Sequence, residues 1–146
     1  MLRGHATARV DAKGRIKIPA EFLDTFLSLC GEGRRVYITS LDGVRAQVYP
    51  LPVFRDLETR LAKLNSTDPL LDHYKLTLSY WGRETSVDRQ GRILIHPLLR
   101  ERARFNGEVS VFGKQRVLEL CDHARFREQP PVLTPEQLAQ LAQYGL

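Results

Sequence analysis

An eight-residue pattern that occurs twice, identical at five positions, constrains this chain more than anything else in it. Asp11-Ala-Lys-Gly14-Arg15-Ile16-Lys-Ile18 and Asp88-Arg-Gln-Gly91-Arg92-Ile93-Leu-Ile95 match without a gap, 77 positions apart, at Asp, Gly, Arg, Ile and Ile. A fixed-period match of this kind means one supersecondary unit used twice, which excludes most folds available to an irregular sequence. The segment after each copy also repeats. A proline, Pro19 or Pro97, opens a short amphipathic stretch; a Gly-bearing turn (Gly31 and Gly33, or Gly107) leads to a β-like run, Val36–Ile38 or Val109–Phe112. A second turn, Asp42-Gly43 or Gly113-Lys114, then leads to another run, Ala46–Tyr49 or Val117–Leu120. The unit therefore reads strand, turn, strand, short helix, strand, hairpin turn, strand.

The residues between the copies are helical in pattern. Leu51, Phe54, Leu57, Leu61 and Leu64 recur at spacings of three and four over Leu51 to Asn65, with Pro52 near the start where its missing N–H costs nothing. Thr67-Asp68-Pro69 caps a second helix, expected from Pro69 to about Ser79. Thr134-Pro135-Glu-Gln137 is a capping box for a short last helix with Leu138 and Leu141 as its apolar stripe, and Pro130-Pro131 sets that helix apart as a tail. The expected organisation is 5–51 and 82–125 as the two repeats, 52–81 as a helical linker and 126–146 as the tail, in an α+β, mainly β fold.

Charge is concentrated in the repeats. The chain carries 22 Lys and Arg against 17 Asp and Glu, net +5. Residues 1–50 hold +3, residues 82–127 hold +4, the linker is neutral, and 128–146 holds −2. Within each Asp-x-x-Gly-Arg turn, Asp11 or Asp88 accepts backbone N–H bonds, and Gly14 or Gly91 takes a positive φ. In the strand beyond the turn, Ile16 and Ile18 face one way while Arg15 and Lys17 face the other. Arg9, Lys13, Arg15 and Lys17 cluster at the first copy, and Arg83, Arg89 and Arg92 at the second. Guanidinium groups on a rigid turn fit phosphate oxygens or the O6 and N7 edge of guanine. The plainer alternative is that Asp11 with Arg15, and Asp88 with Arg92, are ion pairs that pin a turn. Two copies in one chain suit a ligand that is itself repetitive, such as duplex DNA with successive half-sites.

Other chemistry finds no motif. His5, His73, His96 and His123 are isolated, no Gly-rich phosphate loop or nucleophile elbow exists, and no metal or cofactor is expected. Cys30 and Cys121 are separated by 90 intervening residues with no partner at ligand spacing, and their apolar flanks predict inert, buried thiols. No run approaches a membrane span and the amino terminus lacks an unbroken apolar segment, so a cytoplasmic protein is expected. Tyr80 and Trp81 close the second helix in a position suited to core or subunit packing.

The opening Met-Leu-Arg-Gly, the paired turns at 11–15 and 88–92, the Val48-Tyr49-Pro50-Leu51 junction and Gln90-Gly-Arg-Ile-Leu-Ile95 resemble the MraZ family, bacterial transcriptional regulators built from two SpoVT-AbrB repeats. The likeness covers about residues 1–125. It implies a tandem swapped-hairpin AbrB-type β-barrel, a ring-shaped homo-oligomer, and binding to double-stranded DNA at direct repeats upstream of the chain's own division and cell-wall operon, on the nucleoid. It assigns DNA contact to Arg15 and Arg92, with Lys13, Arg3, Lys17 and Arg89 as neighbours, and a turn-forming role to Asp11, Gly14, Asp88 and Gly91. Two departures stand out: His96-Pro97 replaces the usual pair of prolines, and Leu94 stands where the first copy has Lys17. The alternative function is an oligomeric assembly or adaptor protein with protein partners. Steep salt dependence of binding separates the two, and RNA binding is disfavoured by the lack of aromatic residues on the basic strands.

Overall fold

The computed structural model describes residues 1–146 and places eight strands and six helices in the order the repeat requires. The first copy supplies β1 (Leu2–Arg9), β2 (Arg15–Lys17), α1 (Ala20–Cys30), β3 (Arg35–Ser40) and β4 (Ala46–Pro50). The linker supplies α2 (Leu51–Ala62) and α3 (Pro69–Tyr80). The second copy supplies β5 (Arg83–Ser86), β6 (Arg92–Leu94), α4 (Pro97–Ala103), β7 (Glu108–Gln115) and β8 (Val117–Asp122), and α5 (His123–Glu128) and α6 (Pro135–Ala142) complete the chain.

All strand pairs are antiparallel. A six-stranded sheet runs β1-β7-β8-β4-β3-β5, so strands from the two copies interleave in it: β1 of the first lies on β7 of the second, β8 on β4, and β5 of the second on β3 of the first. The remaining strands, β2 and β6, pair with each other as a short ribbon. The fold is α+β as expected, with a mostly antiparallel six-stranded sheet; neither sheet closes on itself. The reason lies in lengths. β2 and β6 have three residues each and pair one-to-one, and the one isolated backbone bridge beside them joins Val10 to Ile16, leaving β1 and β5 as the edges of the large sheet.

One core serves the whole body. Ile16, Ile18, Phe22 and Phe26 from the first copy meet Ile93, Ile95, Leu99, Ala103 and Phe105 from the second, over the inward face of β3, β4, β7 and β8. The alternation that puts Ile16 and Ile93 inside sends Arg15 and Lys17, Arg92 and Leu94 outward.

Element ends differ from expectation in three places. α2 stops at Ala62, three residues early, because Lys63 and Leu64 tighten to bonds on Arg60 and Leu61 and the Asn65 side chain accepts from Thr67 in an Asx-type turn. The second hairpin turns at Gln115-Arg116, with Gln115 at φ 67°, and not at Gly113-Lys114. Gly113 stays in the strand because the β1 backbone at Leu2 and Arg3 passes where a Cβ would sit. α5 has no apolar period to announce it; Phe126 reaches back edge-on to Phe112, with ring centroids 4.9 Å apart. α6 forms with the capping box Thr134–Gln137 and buries no residue. No helix is long and apolar enough to cross a membrane.

Candidate nucleic-acid interface

The two Asp-x-x-Gly-Arg turns are built alike, bond for bond. Asp11 Oδ1 accepts the N–H groups of Lys13 and Arg15 at 2.9 Å each, while Oδ2 accepts Arg15 Nε at 2.7 Å. Asp88 Oδ1 accepts Gln90 and Arg92 N–H at 2.9 Å each, and Oδ2 accepts Arg92 Nε at 2.8 Å. Gly14 N–H returns to Asp11 O, and Gly91 N–H to Asp88 O, both at 3.0 Å, with φ at 83° and 77°. Only glycine takes those angles without strain. The backbone N–H of Arg15, together with its side chain, holds the Asp11 carboxyl below the usual range, and Arg92 does the same for Asp88.

Crossed bonds then lock the turns together. Ile18 N–H donates to Gly91 O at 2.9 Å and Ile95 N–H to Gly14 O at 3.0 Å, flanking the β2–β6 ribbon in which Arg15 faces Leu94, Ile16 faces Ile93 and Lys17 faces Arg92. Arg15, Lys17 and Arg92 thus share the outer face of one rigid ribbon, with Lys13 and Arg89 exposed on the turns at its two ends. Each arginine spends only Nε on its aspartate. Its two terminal nitrogens make no further bond and point to solvent, so pinning the turn and binding an external acceptor are compatible uses of one side chain.

Arg3 lies elsewhere. It sits in β1 opposite Lys114, six residues before Arg9, which places it about 20 Å along the strand from the turn. Two further basic residues that no motif announced do reach the turns. Arg34 Nη2 donates to Asp88 O at 2.8 Å, bracing the second turn from behind. Arg100, on α4, lays its guanidinium against Gly14 and donates from Nη1 to Ile95 O at 2.7 Å. The equivalent neighbour of Gly91 is Leu23, also 77 positions earlier than Arg100.

His96 occupies the N-cap of α4, where the first copy has Pro19. It is nine-tenths buried, its Nε2 lies 2.7 Å from Trp81 O, and its Nδ1 has no partner. Burial holds its pKa below the ordinary value, helped by Arg83 and Arg100 and opposed by the Trp81 carbonyl. Both cysteines are buried: desolvation pushes the Cys30 thiol up to about 11 and raises Cys121 as well. Trp81 packs against the core while Tyr80 is exposed. No group of three His, Cys, Asp or Glu side chains is placed to hold a metal ion.

The chain is similar in sequence to known proteins along most or all of its length. The chain is 36% identical to the transcriptional regulator MraZ of Acidobacterium capsulatum across the full length of both. It is 33% identical to the transcriptional regulator MraZ of Koribacter versatilis, again over the whole of each chain. That of Thiobacillus denitrificans is 33% identical over 88% of this chain and 86% of its own. No family model matches the sequence.

Proposed function

The chain belongs to the MraZ family of transcriptional regulators, and from that premise we propose that it regulates transcription by gripping duplex DNA with the β2–β6 ribbon and its two turns. The observation that carries this reading is the pair of arginines, Arg15 and Arg92, each fixed through Nε and each left with two free terminal nitrogens on one outward face. A guanidinium held in this way has lost most of its rotamer freedom before DNA arrives, so the entropic cost of ordering it on binding is small. Arg15 and Arg92 read base edges; Lys13, Lys17 and Arg89 contact phosphates; Arg3 makes an outlying contact. Asp11, Gly14, Asp88 and Gly91 hold the turns in shape.

The two copies act as interleaved swapped hairpins, with 5–51 and 82–125 as units and 52–81 as linker, a division supported by the matched bonds at the turns and by the alternation of strands in the sheet. Chains assemble into a ring whose subunits meet successive direct repeats upstream of the division and cell-wall operon that holds the chain's own gene. Exposed Leu70, Leu76 and Tyr80 on α3, with Leu64 in the turn before it, favour such assembly. They equally suit a protein whose business is assembly alone, and salt separates the readings. Binding through phosphates weakens steeply as salt rises, whereas an apolar assembly does not respond in that way.

The test is a mobility shift with the DNA upstream of the chain's own gene against a scrambled fragment of equal length. Retarded, salt-sensitive migration of the upstream fragment at protein concentrations that leave the scrambled one free is expected. Equal affinity for both fragments would remove sequence specificity from the proposal, and no shift would remove DNA.

A further inference from the structure

The two turns are alike in their own atoms and unlike in what packs on them. Over Gly91 sits the side chain of Leu23, with Cδ2 3.2 Å from where a glycine Cβ would project. At the equivalent place over Gly14 sits the guanidinium of Arg100. Helices α1 and α4 begin at Ala20 and Pro97, 77 positions apart, so Leu23 and Arg100 occupy the same helical position and approach their glycines from the same side. Packing alone does not call for an arginine there, since leucine does that work at the other turn.

Nor does any ion pair explain it. Arg100 forms no salt bridge, and its one hydrogen bond goes to the neutral carbonyl of Ile95. A guanidinium has five donors, and none of the unused ones is sealed from solvent. The result is a partly buried, fixed and uncompensated cation lying against the glycine between Lys13 and Arg15. Its remaining donors are open to solvent with no carboxylate to occupy them, so they are available to an anion from outside.

From this geometry we infer that Arg100 is a phosphate-binding residue of the first turn, and that the two turns grip DNA unequally: the first through Arg15 and Arg100 together, the second through Arg92 over an apolar leucine. Leu94 opposite Arg15 fits the same division, because it leaves the ribbon end nearest Gly14 without a strand lysine, and Arg100 supplies the missing charge from the helix. The inference rests on the ribbon being the DNA-binding face.

Phosphate contact is independent of sequence, so the probe is a short fluorescein-labelled duplex of scrambled sequence, titrated with the full chain by anisotropy over a series of salt concentrations. Arg100→Leu installs the residue that the fold already carries over Gly91. It is expected to lower the slope of log affinity against log salt by about one unit per engaged subunit and to weaken binding about five- to tenfold near 0.1 M salt, with oligomeric mass and melting temperature kept. A merely structural arginine would leave that slope alone. Leu23→Arg is the reciprocal variant, expected to raise the slope by about one unit, and it decides the matter if Arg100→Leu does not fold. Lys13→Ala, on the same turn and assigned to a phosphate, runs alongside. A lowered slope in Lys13→Ala with unchanged slopes in both other variants overturns the role of Arg100 and leaves the ribbon standing. Wild-type slopes in all three overturn both.

Discussion

Replacing Gly14 or Gly91 by alanine adds the same methyl group to the same turn, yet the two changes are expected to differ. Each forces an L residue to φ near 80°, which costs about 1–2 kcal/mol. At Gly91 the new Cβ meets only the tip of Leu23 at 3.2 Å, and a flexible leucine yields by a few tenths of an ångström. At Gly14 it overlaps the Arg100 guanidinium, which must leave and give up its bond to Ile95 O, adding about 0.5–1.5 kcal/mol. Gly14→Ala should therefore be the more damaging by roughly 1 kcal/mol, or about 2–4 °C in melting temperature for a chain of this size. The assay is thermal unfolding by circular dichroism, with both variants at one protein concentration because any self-association would make the midpoint depend on it. Equal shifts, or the larger shift at Gly91, would refute the placement of Arg100 over the first turn.

Burial and protonation lead to three more expected outcomes. Native Cys30 and Cys121 should resist a maleimide over the time in which the unfolded chain reacts completely, because both sulfurs are buried and their thiolates disfavoured; rapid labelling of either contradicts that. His96 is held neutral in the fold, so its contribution is complete above the ordinary histidine value of 6.5 and is lost as pH falls below it towards the lower folded value. Melting temperature should drop between about pH 7.5 and about pH 5.5, and His96→Leu should flatten that segment; an unchanged slope in the variant would clear His96 of the effect. Deleting residues 129–146 should leave stability within about 0.5 kcal/mol, since α6 buries nothing in its own chain, and a larger loss by chemical denaturation would mean that the tail packs on another subunit.

The features legible in the sequence are those written locally. Asp, Gly and Arg at fixed offsets specify a turn whatever surrounds it, and alternation around Ile16 and Ile93 specifies which face is buried. Leucines at spacings of three and four mark the linker helices, and Thr134 with Gln137 marks the last one. The rest depends on what approaches from far along the chain. Gly113 looks like a turn residue until β1 is laid beside it, and the true turn falls on Gln115, a residue with no turn preference. α5 is held by Phe126 meeting Phe112, a contact without a local period. Pairing of β2 with β6 joins residues on either side of the linker, and the position of Arg100 over Gly14 is a consequence of that pairing. The signal for Arg100 was nonetheless present, as a leucine-to-arginine difference between two copies that agree around it.

Regulation through the ribbon requires that Arg15 and Arg92 bind DNA in addition to holding their turns. The most direct test is the Arg15→Ala, Arg92→Ala double variant, measured against DNA from upstream of the chain's own gene. Each aspartate keeps its two backbone partners when the arginine is gone, so oligomeric mass by light scattering should be native. If the two arginines read bases as proposed, specific affinity should fall by about 1–3 kcal/mol for each one removed, and in the proposed ring that loss, repeated over subunits, abolishes the shift. A double variant of native mass that binds the fragment as tightly as the wild-type chain would contradict a DNA-binding role for either arginine.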